Sequence, residues 1–227
     1  MKIKLFFGVF LNKVNAQDLT CLTLLKYLDE NVFEIRSLSI HNGDLPLVSK
    51  KNLKCFHCFR PFKISGIIGY TWGIITSDVI YLPRAELWKY NHWLLKILKK
   101  PSMKTVENLI DDISIRTALA RFKGIKNIIK AYSQHTKVYA ISPHVKSFNY
   151  EKHGLTTESD ILYLPCDNGI FEDKRIRTTL ENIIFISLDM ERKGIGDIFK
   201  LAEVFPNLTF HVVGRCSEIL LNRMSNY

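Results

Sequence analysis

Residues 183–195 read Ile-Ile-Phe-Ile-Ser-Leu-Asp-Met-Glu-Arg-Lys-Gly-Ile, an apolar run that passes through a small polar residue into a charged loop. The apolar run predicts a buried strand over 182–188, and the residues after the loop predict a helix over 196–204. A second apolar run, 208–213, ends at Gly214. A strand, a helix and another strand in this order form a βαβ unit, which predicts a parallel sheet.

The same alternation fills the chain before this stretch. Strands are predicted at 2–10, 33–40, 53–59, 78–82, 102–106, 137–141 and 160–164. Helices are predicted after an Asn15 N-cap with Asp18 at its positive end, and at 65–77, 86–100, 111–133 (weakened at Gly124) and 143–153. Strands alternating with helices predict a parallel sheet covered on both faces, with ligands bound beyond the carboxyl ends of the strands.

The segment 165–179 breaks this alternation with a proline, an Asn-Gly pair and a charged run. Such residues favour turns and connections rather than helices or strands. We therefore predict an N-terminal Rossmann-like domain over 1–166, a linker over 167–180 and an incomplete C-terminal donor-binding domain over 181–227. The predicted fold class is α/β, with one doubly wound parallel-sheet domain and the start of a second Rossmann-like domain.

The segment 137–214 resembles the junction of the two domains in glycosyltransferase family 4, which has the GT-B fold. The residues that carry the resemblance are Ile183–Ile195, the run from Ala202 to Gly214, and the preceding segments Val138–Ser142 and Asp160–Pro165. In that family a donor-domain strand ends in a small residue and is followed by a loop that carries Lys-Gly. The resemblance implies a retaining, metal-independent transferase that needs no cofactor and takes its sugar from a nucleoside-diphosphate donor.

The resemblance assigns the donor diphosphate to Lys193, with Arg192 or Ser187 assisting and Gly194 allowing close approach of the backbone. A fixed cation stabilises the negative charge that develops on a departing diphosphate. On the acceptor side, the loops after the first and fifth strands suggest Asn15, Lys13 and Glu107. Surface capping is an alternative role for Glu107. The implied acceptor is a glycan or lipid-linked glycan of surface polysaccharide biosynthesis, as in lipopolysaccharide or capsule.

Two departures from the family pattern are relevant. Leu188 stands where the family has an arginine, and no pair of donor-binding glutamates follows Gly214. We therefore expect a chain truncated in its donor-binding domain. The alternative is a non-catalytic remnant, or an acceptor-side half that needs a partner chain.

The net charge of +10 attracts polyanions without choosing among them. No zinc finger, RNA-recognition signature or clear helix-turn-helix is found, so no nucleic-acid partner is expected. Cys55 and Cys58 have metal-ligand spacing, but no second pair completes four ligands, so no metal is expected. Five scattered cysteines indicate no disulfide framework and favour a cytoplasmic location.

Two segments bear on membranes. The apolar stretch 64–82 contains Asp78, and a buried helix followed by a strand explains it better than a membrane span. The segment 87–100 combines tryptophans and leucines with four lysines, a composition that can lie in a membrane interface. A packed helix with a solvated basic face is the alternative. We predict a cytoplasmic protein, with contact at the inner face of the membrane as the further option.

Overall fold

The computed structural model describes residues 2–84, 87–111, 122–167, 169, 178–187, 190–191 and 193–214. The chain divides into two compact units, 1–168 and 169–227. This division falls inside the predicted linker 167–180. The three-part division itself stays a prediction.

The described elements of the first unit alternate as the sequence predicts. Its strands are β1 (Ile3–Phe10), β2 (Phe33–Ile40), β3 (Leu53–Cys58), β4 (Val79–Tyr81), β5 (Ser102–Val106) and β6 (Lys137–Ala140). Its helices are α1 (Ala16–Tyr27), α2 (Phe62–Thr76), α3 (Trp88–Leu98), α4 (Ile125–Ser133) and α5 (Pro143–His153). The second unit contains β7 (Asn182–Ser187), α6 (Ile195–Val204) and β8 (Thr209–Gly214).

The six strands described in the first unit form one parallel sheet in the order β3-β2-β1-β4-β5-β6. The order reverses between β1 and β4, which pair through Leu5 and Val79. In an open α/β sheet this reversal opens a crevice at the carboxyl ends of the two strands. The second unit contains a separate parallel pair, in which β7 lies beside β8.

Successive side chains of the central strands point to opposite faces of the sheet, as the two-residue period of a strand requires. Phe6 packs with Ile74 and Leu94 beneath α2 and α3, whereas Phe7 packs with Cys21 and Leu25 beneath α1. A third cluster lies around β5 and β6 and includes residues of α4 and α5. The two-sided coverage is that of a doubly wound sheet, as the sequence predicts.

Two predicted elements differ in extent. The segment 160–164 makes only an isolated bridge between Ala140 and Ile161, supported by the amide of Leu162 donating to the Ala140 carbonyl at 3.0 Å. Tyr163 is exposed there, so the burial of its side chain does not stabilise a longer strand. Helix α4 begins directly after Gly124, whose φ is +123° and where the long helix was expected to weaken. Most of the predicted first half of that helix, 112–121, lies outside the described residues.

No helix in the part of the chain that the structure describes is both long enough and apolar enough to cross a membrane. The apolar stretch 64–82 is divided between α2 and β4, as predicted, and α2 buries one side against the sheet.

Candidate functional site

The crevice at the carboxyl ends of β1 and β4 holds a buried ion pair. Nη1 of Arg84 lies 3.0 and 2.9 Å from the two carboxylate oxygens of Asp18, whose side chain is fully buried. Arg84 follows β4, and its guanidinium also lies over the ring of Phe10, 5.3 Å from the centroid. A guanidinium is suited to such a buried pair because it is planar and weakly hydrated. The pair joins the loops at the point where the strand order reverses.

Asn15 caps α1, as the sequence predicts. Its side-chain oxygen accepts from the amides of Gln17 and Asp18 at 3.0 and 3.2 Å, and its Nδ2 donates to Asp18 at 2.6 Å. The side chain of Asn15 therefore orders the first turn of α1. Asp18 lies in the first turn of α1, as the sequence predicts. It also accepts from the Phe10 amide at 3.2 Å, which ties α1 to the end of β1.

Glu107 follows β5 and joins the same region through α1. Its carboxylate accepts from Nε2 of Gln17 at 2.9 Å and from the Thr105 hydroxyl at 2.9 Å. Burial raises the pKa of Glu107, while these two hydrogen bonds and the charge of Lys104 act in the opposite direction. A half-buried carboxylate at the carboxyl end of an interior strand can accept a hydrogen bond from a hydroxyl of a bound ligand.

Lys104 is a buried cation that the sequence analysis did not select. Its ammonium donates to the carbonyls of Leu82, Pro83 and Arg84 at 2.9, 3.2 and 3.2 Å. It therefore fixes the loop that carries Arg84. A lysine in the centre of an otherwise buried strand was the available signal, because a buried ammonium needs hydrogen-bond acceptors.

Lys13 lies apart from this network. Its ammonium is 3.8 Å from Asp44, and both side chains are exposed. Asp44 also accepts from the Val14 amide at 3.0 Å, so this pair orders the surface of the loop after β1. The structure thus joins two of the three predicted acceptor-side residues, Asn15 and Glu107, through α1.

In the second unit, the three described donor residues of the prediction, Ser187, Lys193 and Gly194, lie around the turn between β7 and α6. Ser187 is buried at the end of β7, opposite Gly214 in the register of the sheet. Gly194 has a φ of +87° and precedes α6, and its amide donates to the Glu191 carbonyl at 3.2 Å. Lys193 is exposed in this turn, and Arg192 lies outside the described residues.

Gly214 is required by close approach of the two strands. Its φ is +150°, and a Cβ added there would lie 1.7 Å from the Ser187 carbonyl oxygen. Such a distance is far inside van der Waals contact, so no side chain fits. The carboxyl ends of β7 and β8 therefore lie close together beside the turn that carries Lys193 and Gly194.

An apolar cleft of about 420 Å³ lies elsewhere in this unit. It is lined by side chains of α6, β8 and the segment that joins them, among them Phe199, Pro206 and Phe210. It includes neither Lys193 nor Gly194, and its lining does not suit a diphosphate. Among the described residues, no group of three or more His, Cys, Asp or Glu side chains could hold a metal ion.

No protein-family model and no curated protein sequence matches this chain. Its structure is similar to Alr3699/HepE of Anabaena in complex with UDP and glucose, with a TM-score of 0.61, 12% identity, and coverage of 100% of this chain and 64% of that one. An alpha-glucosyltransferase in complex with UDP and a 13-mer DNA gives a TM-score of 0.53, 11% identity, and coverage of 100% and 59%. The apo lipopolysaccharide outer core galactosyltransferase WaaB gives 0.50, 11%, and coverage of 99% and 71%.

The chain thus spans 64% and 59% of the first two of these structures. Likeness at such low identity identifies a fold. The α/β, GT-B-like fold class predicted from the sequence is confirmed: a doubly wound parallel sheet of six strands, and a second parallel sheet after residue 181.

Proposed function

We propose that this chain belongs to a retaining, metal-independent glycosyltransferase of the family 4 type. It transfers a sugar from a nucleoside-diphosphate sugar to a glycan or lipid-linked acceptor in surface polysaccharide biosynthesis. The single observation that carries the proposal is the fold, since two parallel sheets in this order align over the whole chain with a UDP-bound structure. UDP-glucose is accordingly the first donor to test.

The turn between β7 and α6 supports the assignment of the donor diphosphate. The ammonium of Lys193 would bind the phosphates beside the amino end of α6, which carries partial positive charge. Gly194 would let the phosphates approach the backbone. Ser187 and Arg192 complete the proposed set.

The network at the carboxyl ends of β1, β4 and β5 supports an acceptor site in the first unit. Glu107 would accept a hydrogen bond from an acceptor hydroxyl, and Asn15 would act indirectly by ordering the first turn of α1. Lys13 would attract an anionic acceptor from the surface of the neighbouring loop.

The proposed location is cytoplasmic, with contact at the inner face of the membrane through residues 87–100. Helix α3 supports this part of the proposal because Trp93 and Ile97 are each 57% exposed. Lys96 and Lys99 are exposed on the same segment. Exposed aromatic and aliphatic side chains beside lysines are typical of a helix that lies in a membrane interface.

Calorimetric titration with UDP- and GDP-sugars tests the donor assignment. We expect one of these sugar nucleotides to bind, and Lys193→Ala to weaken binding by about tenfold or more, because hydrogen bonds to charged groups contribute ~1.5–3 kcal/mol each. Lys200→Ala is the matched control. Lys200 is exposed on α6, and its ammonium pairs with Asp197 at 3.2 Å.

Two results would count against the assignment. One is that neither class of sugar nucleotide binds the full chain. The other is that Lys193→Ala and Lys200→Ala change the affinity equally, since a general loss of positive charge would then explain the effect.

A further inference from the structure

Helix α2 is apolar on the side that faces away from the sheet as well as on the side that faces it. Tyr70 and Ile74 are buried against the sheet. On the opposite side, Ile64, Ile68 and Ile75 are 55%, 44% and 51% exposed. A helix that is apolar all round is normally buried all round. An uncovered apolar side of this kind indicates a surface that another molecule covers.

The exposed isoleucines lie in one line along the helix. Ile64, Ile68, Thr71 and Ile75 follow one another at intervals of four, three and four residues. Residues at these intervals share one face of a helix. Apolar side chains repeated at this spacing form the seam between two packed helices. These four residues are called the isoleucine stripe, and their spacing indicates that the molecule that covers them is itself a helix.

The isoleucine stripe is well suited to burial. The hydroxyl of Thr71 donates to the Ile67 carbonyl at 2.7 Å and lies 2.6 Å from the Tyr90 hydroxyl, so it is satisfied within the first unit. Isoleucine side chains in a helix are held largely in one rotamer, so they lose little entropy when an interface orders them. The one charged residue of α2 is Lys63, in its first turn. Covering the stripe therefore buries neither a charge nor an unsatisfied hydroxyl.

A second copy of α2 fits the isoleucine stripe when the two helices run antiparallel. The intervals of the stripe are the same when read from either end, with their midpoint between Ile68 and Thr71. A two-fold axis through that midpoint places Ile64 opposite the partner's Ile75 and Ile68 opposite the partner's Thr71. A two-fold contact needs such a surface, because each copy presents the same residues to the other.

Charge favours the antiparallel arrangement. It brings the exposed Lys63 of each copy towards the carboxyl end of the other α2, which carries partial negative charge. The last turn there reads Gly-Ile-Ile-Thr, and it is followed by the exposed Asp78, which also accepts from the Lys4 amide at 2.8 Å. A parallel pair would instead place the two Lys63 side chains together. A helix that lies on a lipid surface carries several cations along its polar face, so the single lysine of α2 favours a helix as its partner.

We propose that this chain forms a homodimer in which α2 packs antiparallel on the α2 of a second copy, with the isoleucine stripe at the centre of the interface. The residues of the stripe are separate from those proposed for the donor and the acceptor. The inference therefore goes beyond the proposed function and does not depend on it.

Sedimentation equilibrium of the full chain tests the dimer. We expect a mass that rises with concentration towards twice 26.4 kDa and a dimer that persists in high salt, because its contact is mainly apolar. Ile68→Glu should weaken self-association by about tenfold or more, since it places a charge beside the two-fold axis. Leu19→Glu is the matched control. Leu19 is 41% exposed on α1, on the other face of the sheet, and this variant should dimerise as the unchanged chain does.

Cysteine cross-linking tests the antiparallel register on the folded protein. Under mild oxidation, Ile64→Cys/Ile75→Cys should form a disulfide between position 64 of one copy and position 75 of the other, identified by mass spectrometry of the linked peptides. The two positions are about 16 Å apart within one helix, too far for a bond inside one chain. Ile64→Cys alone should form no link between the two positions 64.

Three results would overturn the proposal. One is a chain that stays monomeric at every concentration tested. Another is equal self-association of Ile68→Glu and Leu19→Glu, or a disulfide that joins position 64 of one copy to position 64 of the other. The third is a monomer that binds lipid vesicles and loses this binding in Ile68→Glu, which would assign the isoleucine stripe to a membrane.

Discussion

At the scale of single residues, two positions in this chain have environments that specify their chemistry closely. Gly214 lies where the backbone of the neighbouring strand excludes a side chain. His135 lies among cations, where a charged imidazole is unfavourable. Each environment leads to a measurable consequence for stability.

Gly214→Ala should destabilise the second unit by about 1–3 kcal/mol or more, since the added methyl group would overlap the Ser187 carbonyl and overpacking carries a cost of that size. Urea unfolding, monitored through the exchange of amide protons in β7 and β8, would measure this loss of stability. Gly196→Ala is the control, because Gly196 lies in α6 with no atom within 4 Å of an added Cβ. That change should be neutral or stabilise by ~0.5–1 kcal/mol. Equal effects at the two glycines would contradict the prediction.

Stability of the first unit should fall as the pH falls from about 6.5 towards 3. Burial, together with the charges of Lys104 and His92, lowers the pKa of His135 to about 3, whereas an unfolded histidine has a pKa of about 6.5. Between these values the unfolded chain binds the proton and the folded chain does not, so stability is complete above the upper value. His135→Asn should flatten this part of the pH profile of thermal unfolding. His144→Asn, at an exposed position, should leave it as it is.

At the scale of elements, the conformation of the loop after β4 is fixed by a side chain of the neighbouring strand β5. Lys104 in β5 binds three successive carbonyls of that loop, and the loop in turn carries Arg84 to Asp18 in α1. The acidic and basic partners are 66 positions apart along the chain. Their pairing follows only from the strand order, which sequence patterns leave open.

Lys104→Met should free this loop. We expect a loss of about 1.5–3 kcal/mol of stability, the contribution of a hydrogen bond to a charged group, and faster amide exchange over the peptide Tyr81–Arg84. Lys126→Met, at an exposed position of α4, is the comparison and should change neither quantity. Unaltered exchange in Lys104→Met would mean that Pro83 and the strand alone order the loop. Sugar-nucleotide binding should be retained in both variants.

The elements most accurately predicted from sequence were those with local signals. Asn15 precedes α1 as its N-cap, because an asparagine side chain can accept from free amides. The helix predicted over 143–153 has the same bounds in the structure, where Ser142 caps its start and Gly154 its end. The segment 160–164 has the composition of a strand, but its extent depends on a neighbour that pairs with it only at Ala140. The composition of a segment does not show how many of its residues will pair with a neighbouring strand.

At the scale of the whole molecule, alternation of strands and helices was enough to predict two parallel sheets. The fold class followed from this alternation because parallel neighbours need a crossover, and helices provide it. Of the candidate residues, Glu107 directly follows a strand, and Asn15, Lys193 and Gly194 lie in segments that come after strand ends; the alternation of elements was enough to predict these positions, and the roles of the residues stay predictions. The contacts of Arg84 and Lys104 join distant segments. The sugar-nucleotide titration belongs to this scale, because it asks whether the combined fold binds its donor.

The strictly parallel pairing of the large sheet also constrains how the protein is synthesised. Strand β1 is central, yet Leu5 has its second neighbour only when Val79 is available, 79 − 5 = 74 residues later. At 5–20 residues per second, a ribosome needs about 4–15 s to cover that interval. Throughout it, the nascent segment Ile3–Phe10 carries buried-type side chains such as Phe6 and Phe7 with one edge unpaired. The emerging chain is therefore a natural client for a chaperone that recognises short apolar segments.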